Sequence, residues 1–512
     1  MSLGQATVPL PRARSTLLAW LSAFAVLAAA IAQHAGATLN PDNSWLLTIG
    51  EKWLAGQVPY VDFVEVNPPA SILLYMPAVA LAHWLDIRPE ILVTLMMFAG
   101  VVAGLALTGR ILRSADLLDA APLPWLLAAA LFVFAILPAN TFAQREHIAA
   151  VLVLPALATY RVGIAGRALP LHLRILAGLA GGLCIVIKPY FAGALLLPLA
   201  YGVLAADGSL QRRVGLLFSP TNWVIALLVC AYGAMVLALF PAFVQSIMPL
   251  LVDAYLPVRV PLWRIATTSS LCVVVPFLIC GLFDRKGFRT PETMLLLLAT
   301  IGFALAVIAQ GKSWPYHYYP VLSLGLLTLA RSLILQASRK ADGRQGLVAF
   351  AAGILGLCLV ASLSYQLLAT RSDSEQLLAA VRRVAPPHPK IVTITSDLAV
   401  GHPLTRALSG QWISRFSARW ITANGEDLVA DPDLDEATRA RLMADLALDR
   451  DTLVQELDRD RPDVVLVDGE GWWSWINADA AVRRALGPYR VVEGAGKVSI
   501  LLRRDAGADP GT

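Results

Sequence analysis

The chain has 512 residues, 57% of them hydrophobic and only 15% charged, with a mean hydropathy of +0.64. A soluble domain carries about 25% charged residues, so this composition excludes an ordinary soluble enzyme and points to a polytopic membrane protein. The net charge of +5 implies no nucleic-acid partner, because the basic residues fall in short clusters between apolar runs.

Arg12 and Arg14 precede a first apolar run at 15–33, close to the ~20 residues a bilayer requires. It lacks a cleavage site and reads as a retained span, not a signal peptide. A polar loop at 34–88 follows, with Asp42, Glu51, Asp62 and Glu65 beside a membrane, where uncompensated carboxylates are costly. Within it Trp45, Leu46, Ile49 and Trp53 fall at helical spacing, as in an amphipathic helix at the membrane–water interface. Asp42 or Asn43 is placed to cap that helix. Gly56 ends it, and Pro59, Pro68 and Pro69 keep the rest irregular. The apolar stretch 70–85 is short. If it crossed, every later basic loop would face outward, so it is expected at the interface.

Further spans are expected at 89–108, 124–139, 148–160, 223–239, 266–283, 293–309, 321–335 and 347–368. The run 175–204 is the awkward one. Basic residues on both sides demand two crossings, which a helix break at Lys188-Pro189 supplies. The count is about 11 transmembrane helices, N-terminus cytoplasmic, with Arg161, Arg167, Arg174, Arg212, Arg213, Arg285, Lys286, Arg339 and Lys340 inside. From 370 to 512 the composition becomes that of a soluble α/β domain. Strands are expected at 391–395, 464–467, 490–493 and 498–503, a helix at 435–457, and a frayed end at 505–512. The five cysteines (Cys184, Cys230, Cys272, Cys280, Cys358) all sit in apolar stretches, so no disulfide framework is implied. There is no P-loop, dinucleotide fingerprint or Cys/His metal motif.

The order Asp42, Trp53-Leu54-Ala55-Gly56, Tyr60-Val61-Asp62, Asn67-Pro68-Pro69 resembles the first external loop of GT-C glycosyltransferases. The resemblance is to the branch related to protein O-mannosyltransferases and lipid A aminoarabinose transferases. Asn67 stands where some relatives carry lysine. The resemblance reaches the later spans by topology only, and the tail not at all. It implies a GT-C-like catalytic domain at 1–369 in a bacterial inner membrane, followed by an extracytoplasmic domain at 370–512. The implied donor is a polyprenyl-phosphate sugar, and the acceptor an envelope glycan, glycolipid or protein. The implied reaction is inverting, with Asp42 as general base. Glu146, in the second external turn, holds the place of an acidic functional residue.

Glycosyl transfer needs a base for the acceptor hydroxyl and cations for the departing phosphate. Arg145, Lys188, Arg259, Arg264, Lys312 and His317 are the candidate donor-binding residues, with Tyr60, Asp62 and Asn67 supporting the first loop. Plain alternatives accompany each: a turn-pinning salt bridge for Arg145 and Glu146, snorkelling for Lys188, and an interfacial aromatic belt for the segment 312–319. Trp472, Trp473 and Trp475 suit a core or docking face better than a sugar platform. No cofactor is required by the sequence, although carboxylates and water can hold Mg²⁺ without a motif. A transporter or lipid flippase is the rival class, favoured by the lysine in a broken helix. A non-catalytic envelope scaffold is a third.

Overall fold

In the computed structural model the described residues are 12–36, 39–338, 343–369 and 374–504. Arg339, Lys340, the boundary at Thr370 and the segment 505–512 lie outside them. The chain is mostly helical, with a small sheet in its C-terminal part. Among the described residues, eight helices are long and apolar enough to cross a membrane. This makes the chain a multi-pass membrane protein. About eleven spans were expected. Those expected at 124–139 and on either side of Lys188 are shorter helices. The chain folds as two compact units, one of Met1–Ala37, Met96–Val229 and Pro261–Ala369, the other of Thr38–Leu95, Cys230–Val260 and Thr370–Thr512.

The first unit packs its helices through small residues, as membrane helices do when backbones approach closely. A Cβ on Gly302 would lie 2.3 Å from the Gly193 carbonyl carbon and from the Ala194 nitrogen. The helices Gly193–Ala205 and Pro291–Gln310 therefore touch backbone to backbone. On the helix Leu171–Ile187, Gly178 lies against the Thr221 carbonyl oxygen and the Val224 side chain, and Gly182 makes room for the side chain of Leu228. That helix stops at Lys188, whose backbone is extended (φ −147°, ψ 116°), and a 3-10 turn Pro189–Ala192 follows. The proline both denies Lys188 a helical conformation and starts the next segment.

A π-turn at Phe132–Ile136 ends the apolar helix Leu123–Leu131. Its carbonyls accept side chains from elsewhere in the unit. Tyr319 Oη donates to Val133 O at 2.9 Å, and Gln33 Nε2 to Ile136 O at 3.0 Å. His147 Nε2 lies 2.8 Å from Phe134 O, and His34 Nε2 lies 3.0 Å from Ala135 O. Satisfying these groups matters where no water competes. Of these, the His147 bond ties the first turn of the helix Arg145–Ile164 to the π-turn.

The second unit joins the first loop to the C-terminal tail. The tail forms a five-stranded sheet, order β2-β1-β3-β5-β4, from β1 Lys390–Ile394, β2 Gln411–Trp412, β3 Val464–Asp468, β4 Tyr489–Ala495 and β5 Val498–Arg503. β2, β1 and β3 are parallel, and β5 and β4 complete the sheet antiparallel. The two-residue edge strand β2 had no pattern long enough to be read from sequence. Val392, Ile394, Val465, Val467 and Leu501 lie in the core, and Trp472, Trp473 and Trp475 pack against it, which is their bland reading. Arg419 is fully buried, and its two terminal nitrogens are met by Asp449 at 2.9 Å, by Glu456 and by Ser414 Oγ at 3.0 Å, while its Nε has no hydrogen-bond partner among the described residues. A buried cation demands such carboxylate pairing.

The loop helix Pro41–Leu54 is not an interfacial helix. Residues Asn43 to Gly50 are all buried in the second unit. Trp45 donates to Glu65 Oε2 at 2.7 Å and lies 5.3 Å from the His402 ring. Arg406 forks onto Glu51 at 2.6 and 2.9 Å and also reaches Glu90 at 2.8 Å. Lys52 Nζ donates to Ser414 O at 3.0 Å, and Val64 N to Arg415 O at 2.9 Å. The apolar face that reads as membrane-facing in the sequence packs on protein, Trp45 beside His402 of the tail and Trp53 beside Phe240.

Candidate functional site

The first unit brings five of the expected residues together. The helix Arg145–Ile164 places Arg145 and Glu146 in its first turn, both buried. His147 pins that turn: its Nδ1 accepts from Ala143 N at 3.0 Å while its other nitrogen meets Phe134 O. From the helix break, Lys188 Nζ donates to Glu146 Oε1 at 2.5 Å and to Gln310 Oε1 at 2.9 Å. It also lies 5.8 Å from the centre of the Tyr316 ring. Gly311, at φ +73°, ends the preceding helix and turns the chain toward Lys312 and His317. His317 Nε2 is 3.9 Å from Glu146 Oε1, and Lys188, Arg145 and Lys312 all act on its ring electrostatically.

Three cations, Arg145, Lys188 and Lys312, thus surround one carboxylate and one imidazole. Arg145 and Lys188 are buried and Lys312 is half-buried, so the cluster presents cationic groups in a poorly solvated place, where charge-assisted bonds to an anion are strong. Among the described residues, Glu146 Oε2 and both His317 ring nitrogens are buried without a hydrogen-bond partner. Unsatisfied buried groups of this kind mark places where a ligand or ion belongs. Arg264 takes no part. It is exposed in the first turn of the helix Leu262–Phe283. Gln310 was missed by sequence reading, because a glutamine ending an apolar span has no distinguishing pattern.

The second unit holds the first-loop residues. The helix cap is Asn40, whose Oδ1 accepts from Asn43 N at 3.0 Å, and neither Asp42 nor Asn43 fills that role. Asn40 wins because Pro41 takes the first helical position, where a proline is favoured. Asp42 sits partly exposed in the first turn. Tyr60 is buried at φ +68° and donates to Asn67 O at 2.9 Å. Asn67 in turn donates its side chain to Glu65. Asp62 is exposed and accepts from Val58 N at 2.7 Å, closing the turn. Tyr60, Asp62 and Asn67 therefore all brace the loop's own backbone. Burial lowers the Lys52 ammonium to about 8, partly offset by the carboxylates Glu456, Asp460 and Asp62. Arg259 is exposed after the helix Met248–Ala254, and Asp253 of that helix is held by Arg441 at 2.7 and 2.9 Å. Among the described residues no group of three or more His, Cys, Asp or Glu is placed to hold a metal.

No protein-family profile matches this sequence, and no curated protein matches it. Solved structures do match. One is the crystal structure of ArnT from Cupriavidus metallidurans bound to undecaprenyl phosphate, with a TM-score of 0.56 at 12% identity over 96% of this chain and 98% of that one. The chain has an ArnT-like GT-C fold. The same protein's apo structure matches with a TM-score of 0.55 at 13% identity, covering 95% of this chain and 98% of ArnT. ArnT-like architecture thus extends over both the helical part and the tail, including the region where the first-loop resemblance alone was silent.

Proposed function

We propose that the chain is a membrane glycosyltransferase that takes its sugar from a polyprenyl-phosphate donor. The observation that supports this reading is the gathering of Arg145, Lys188 and Lys312 around Glu146 and His317, in a fold shared with a protein crystallised with undecaprenyl phosphate. A phosphate anion is a natural ligand for such a cluster.

In this reading the acceptor hydroxyl oxygen attacks the anomeric carbon as the bond from that carbon to the phosphate oxygen breaks. The electron pair leaves with the polyprenyl phosphate, whose added negative charge the cations stabilise. The hydroxyl proton passes to the Asp42 carboxylate, and attack opposite the leaving group inverts the anomeric centre. Glu146 holds Lys188 in place between turnovers and yields it when phosphate arrives. The acceptor is an extracytoplasmic glycan, glycolipid or protein. The distribution of basic residues between the spans supports an N-terminus in the bacterial cytoplasm and a tail outside.

The test is binding of undecaprenyl phosphate to the purified full chain, with uncharged undecaprenol as control. Wild type should prefer the phosphate, and Lys188→Gln should weaken that preference at least about tenfold, as loss of a charge-assisted contact does. Equal binding of both lipids by wild type would overturn the reading.

A further inference from the structure

The first unit contains a second basic site that the proposed transfer reaction does not use. A cavity of about 330 Å³ opens where the helix Arg145–Ile164 ends, the helix Leu171–Ile187 begins and the helix Gly193–Ala205 ends. Arg167, Arg174 and Arg212 line it, with Tyr160 and the apolar side chains of Leu199 and Phe218. Among the described residues no carboxylate lines it. Its neighbour Arg161, by contrast, is matched by Glu292 at 2.5 Å.

The cavity's backbone is shaped around one of the arginines. Gly166, at φ +63°, lies so close that a Cβ there would meet the Arg212 guanidinium at 1.8 Å, and Gly208, at φ +107°, leaves only 3.1 Å on another side. Any side chain at position 166 would both strain the backbone and displace the guanidinium. Two glycines in conformations that other residues avoid therefore admit Arg212 to this wall.

We propose that this cavity binds the phosphate-bearing headgroup of an anionic phospholipid on the side of the membrane where the basic loops lie. Arginines suit phosphate because their planar fork bonds two oxygens at once. Basic pockets between transmembrane helices on the cytoplasmic side are where such headgroups are held. The apolar walls argue for a lipid over a soluble phosphate ester. Phe218 is 60% exposed beside the arginines, placed to lie along an acyl chain.

The experiment is native mass spectrometry of the full-length protein after exchange into phosphatidylglycerol or phosphatidylcholine, together with the shift in thermal midpoint each lipid gives. Wild type should retain phosphatidylglycerol and not phosphatidylcholine. Arg167→Gln/Arg174→Gln/Arg212→Gln should lose that retention by on the order of a hundredfold, at roughly a fivefold loss for each basic residue. Arg167→Lys/Arg174→Lys/Arg212→Lys should keep an intermediate affinity, which shows that charge and not folding was lost. If the triple glutamine variant does not insert, Arg212→Gln alone reads the same site and should lose about fivefold. Undiminished retention in the glutamine variants would overturn the proposal. So would displacement of the lipid by millimolar glycerol 3-phosphate, which would assign the site to a soluble anion.

Discussion

Removing the Lys188 ammonium should harm the fold more than removing the whole Lys188–Glu146 pair. The two charges are 2.5 Å apart, with side-chain exposures of 7% and 0%. At an effective dielectric near 20 their attraction is about 6–7 kcal/mol. Desolvation costs several kcal/mol per ion, so the pair is close to neutral for stability as a whole. Lys188→Met strands a fully buried carboxylate, which should cost about 3–5 kcal/mol. Glu146→Gln alone leaves Lys188 with Gln310 at 2.9 Å and should cost less. The double variant Lys188→Met/Glu146→Gln removes both charges of the pair and should recover most of the loss, giving a large coupling energy in a double-mutant cycle. The assay is thermal unfolding of each purified variant in detergent, with binding of undecaprenyl phosphate measured on the same samples. The double variant should be stable and still fail to bind donor. If it is no more stable than Lys188→Met, or if it binds donor as wild type does, the cluster is not a phosphate site built on the Lys188–Glu146 pair.

Other consequences follow from single residues. Asp42→Asn keeps size and leaves the Asn40 cap intact; turnover should fall about 10²–10⁴-fold with donor binding unchanged, and near-wild-type turnover would remove Asp42 from the chemistry. Asp445, raised to about 6 by burial and by Asp253 against the opposing pull of Arg441, binds its proton more tightly folded than unfolded. Its contribution to stability is therefore full below about pH 4 and is lost as pH rises through 6. Asp445→Asn should stabilise the protein by about 1 kcal/mol at pH 7.5 after allowance for solvent screening, and by nothing near pH 4; a pH-independent difference in thermal midpoint would refute this. Gly302→Ala must push apart two backbones that a Cβ would approach to 2.3 Å. It should cost about 1–3 kcal/mol, whereas Gly100→Ala, with nothing within 4 Å of its Cβ, should be neutral or stabilising by thermal unfolding.

The parts legible in the sequence are those whose signal is local. The break at Lys188-Pro189 was readable because proline dictates the conformation of the residue before it. β1 and β3 were readable from continuous apolar runs, and β4 and β5 as later strands at 490–493 and 498–503. Arg145, Glu146, Lys188, Lys312 and His317 were readable as a group because charge beside or within apolar spans is rare. What was not legible depends on distant partners. Trp45 and Ile49 form the same apolar face whether they meet lipid or protein, and only the folded chain reveals His402 and Arg406 of the tail beside that helix. The capping role went to Asn40 because Pro41 shifted the helix start by two positions. Gln310 became part of the cluster through a helix end more than a hundred residues from Lys188 in sequence.

The most direct test of the central claim is a turnover measurement on the purified full chain in lipid nanodiscs. Polyprenyl-phosphate sugars extracted from bacterial membranes are supplied with an envelope glycolipid fraction, and free polyprenyl phosphate and glycosylated acceptor are followed together by mass spectrometry. Wild type should release polyprenyl phosphate in equal amount to the sugar gained by acceptor, and Lys188→Gln and Asp42→Asn should release neither above background. Movement of intact polyprenyl-phosphate sugar across the bilayer without cleavage of its sugar–phosphate bond would contradict the account and make the protein a transporter.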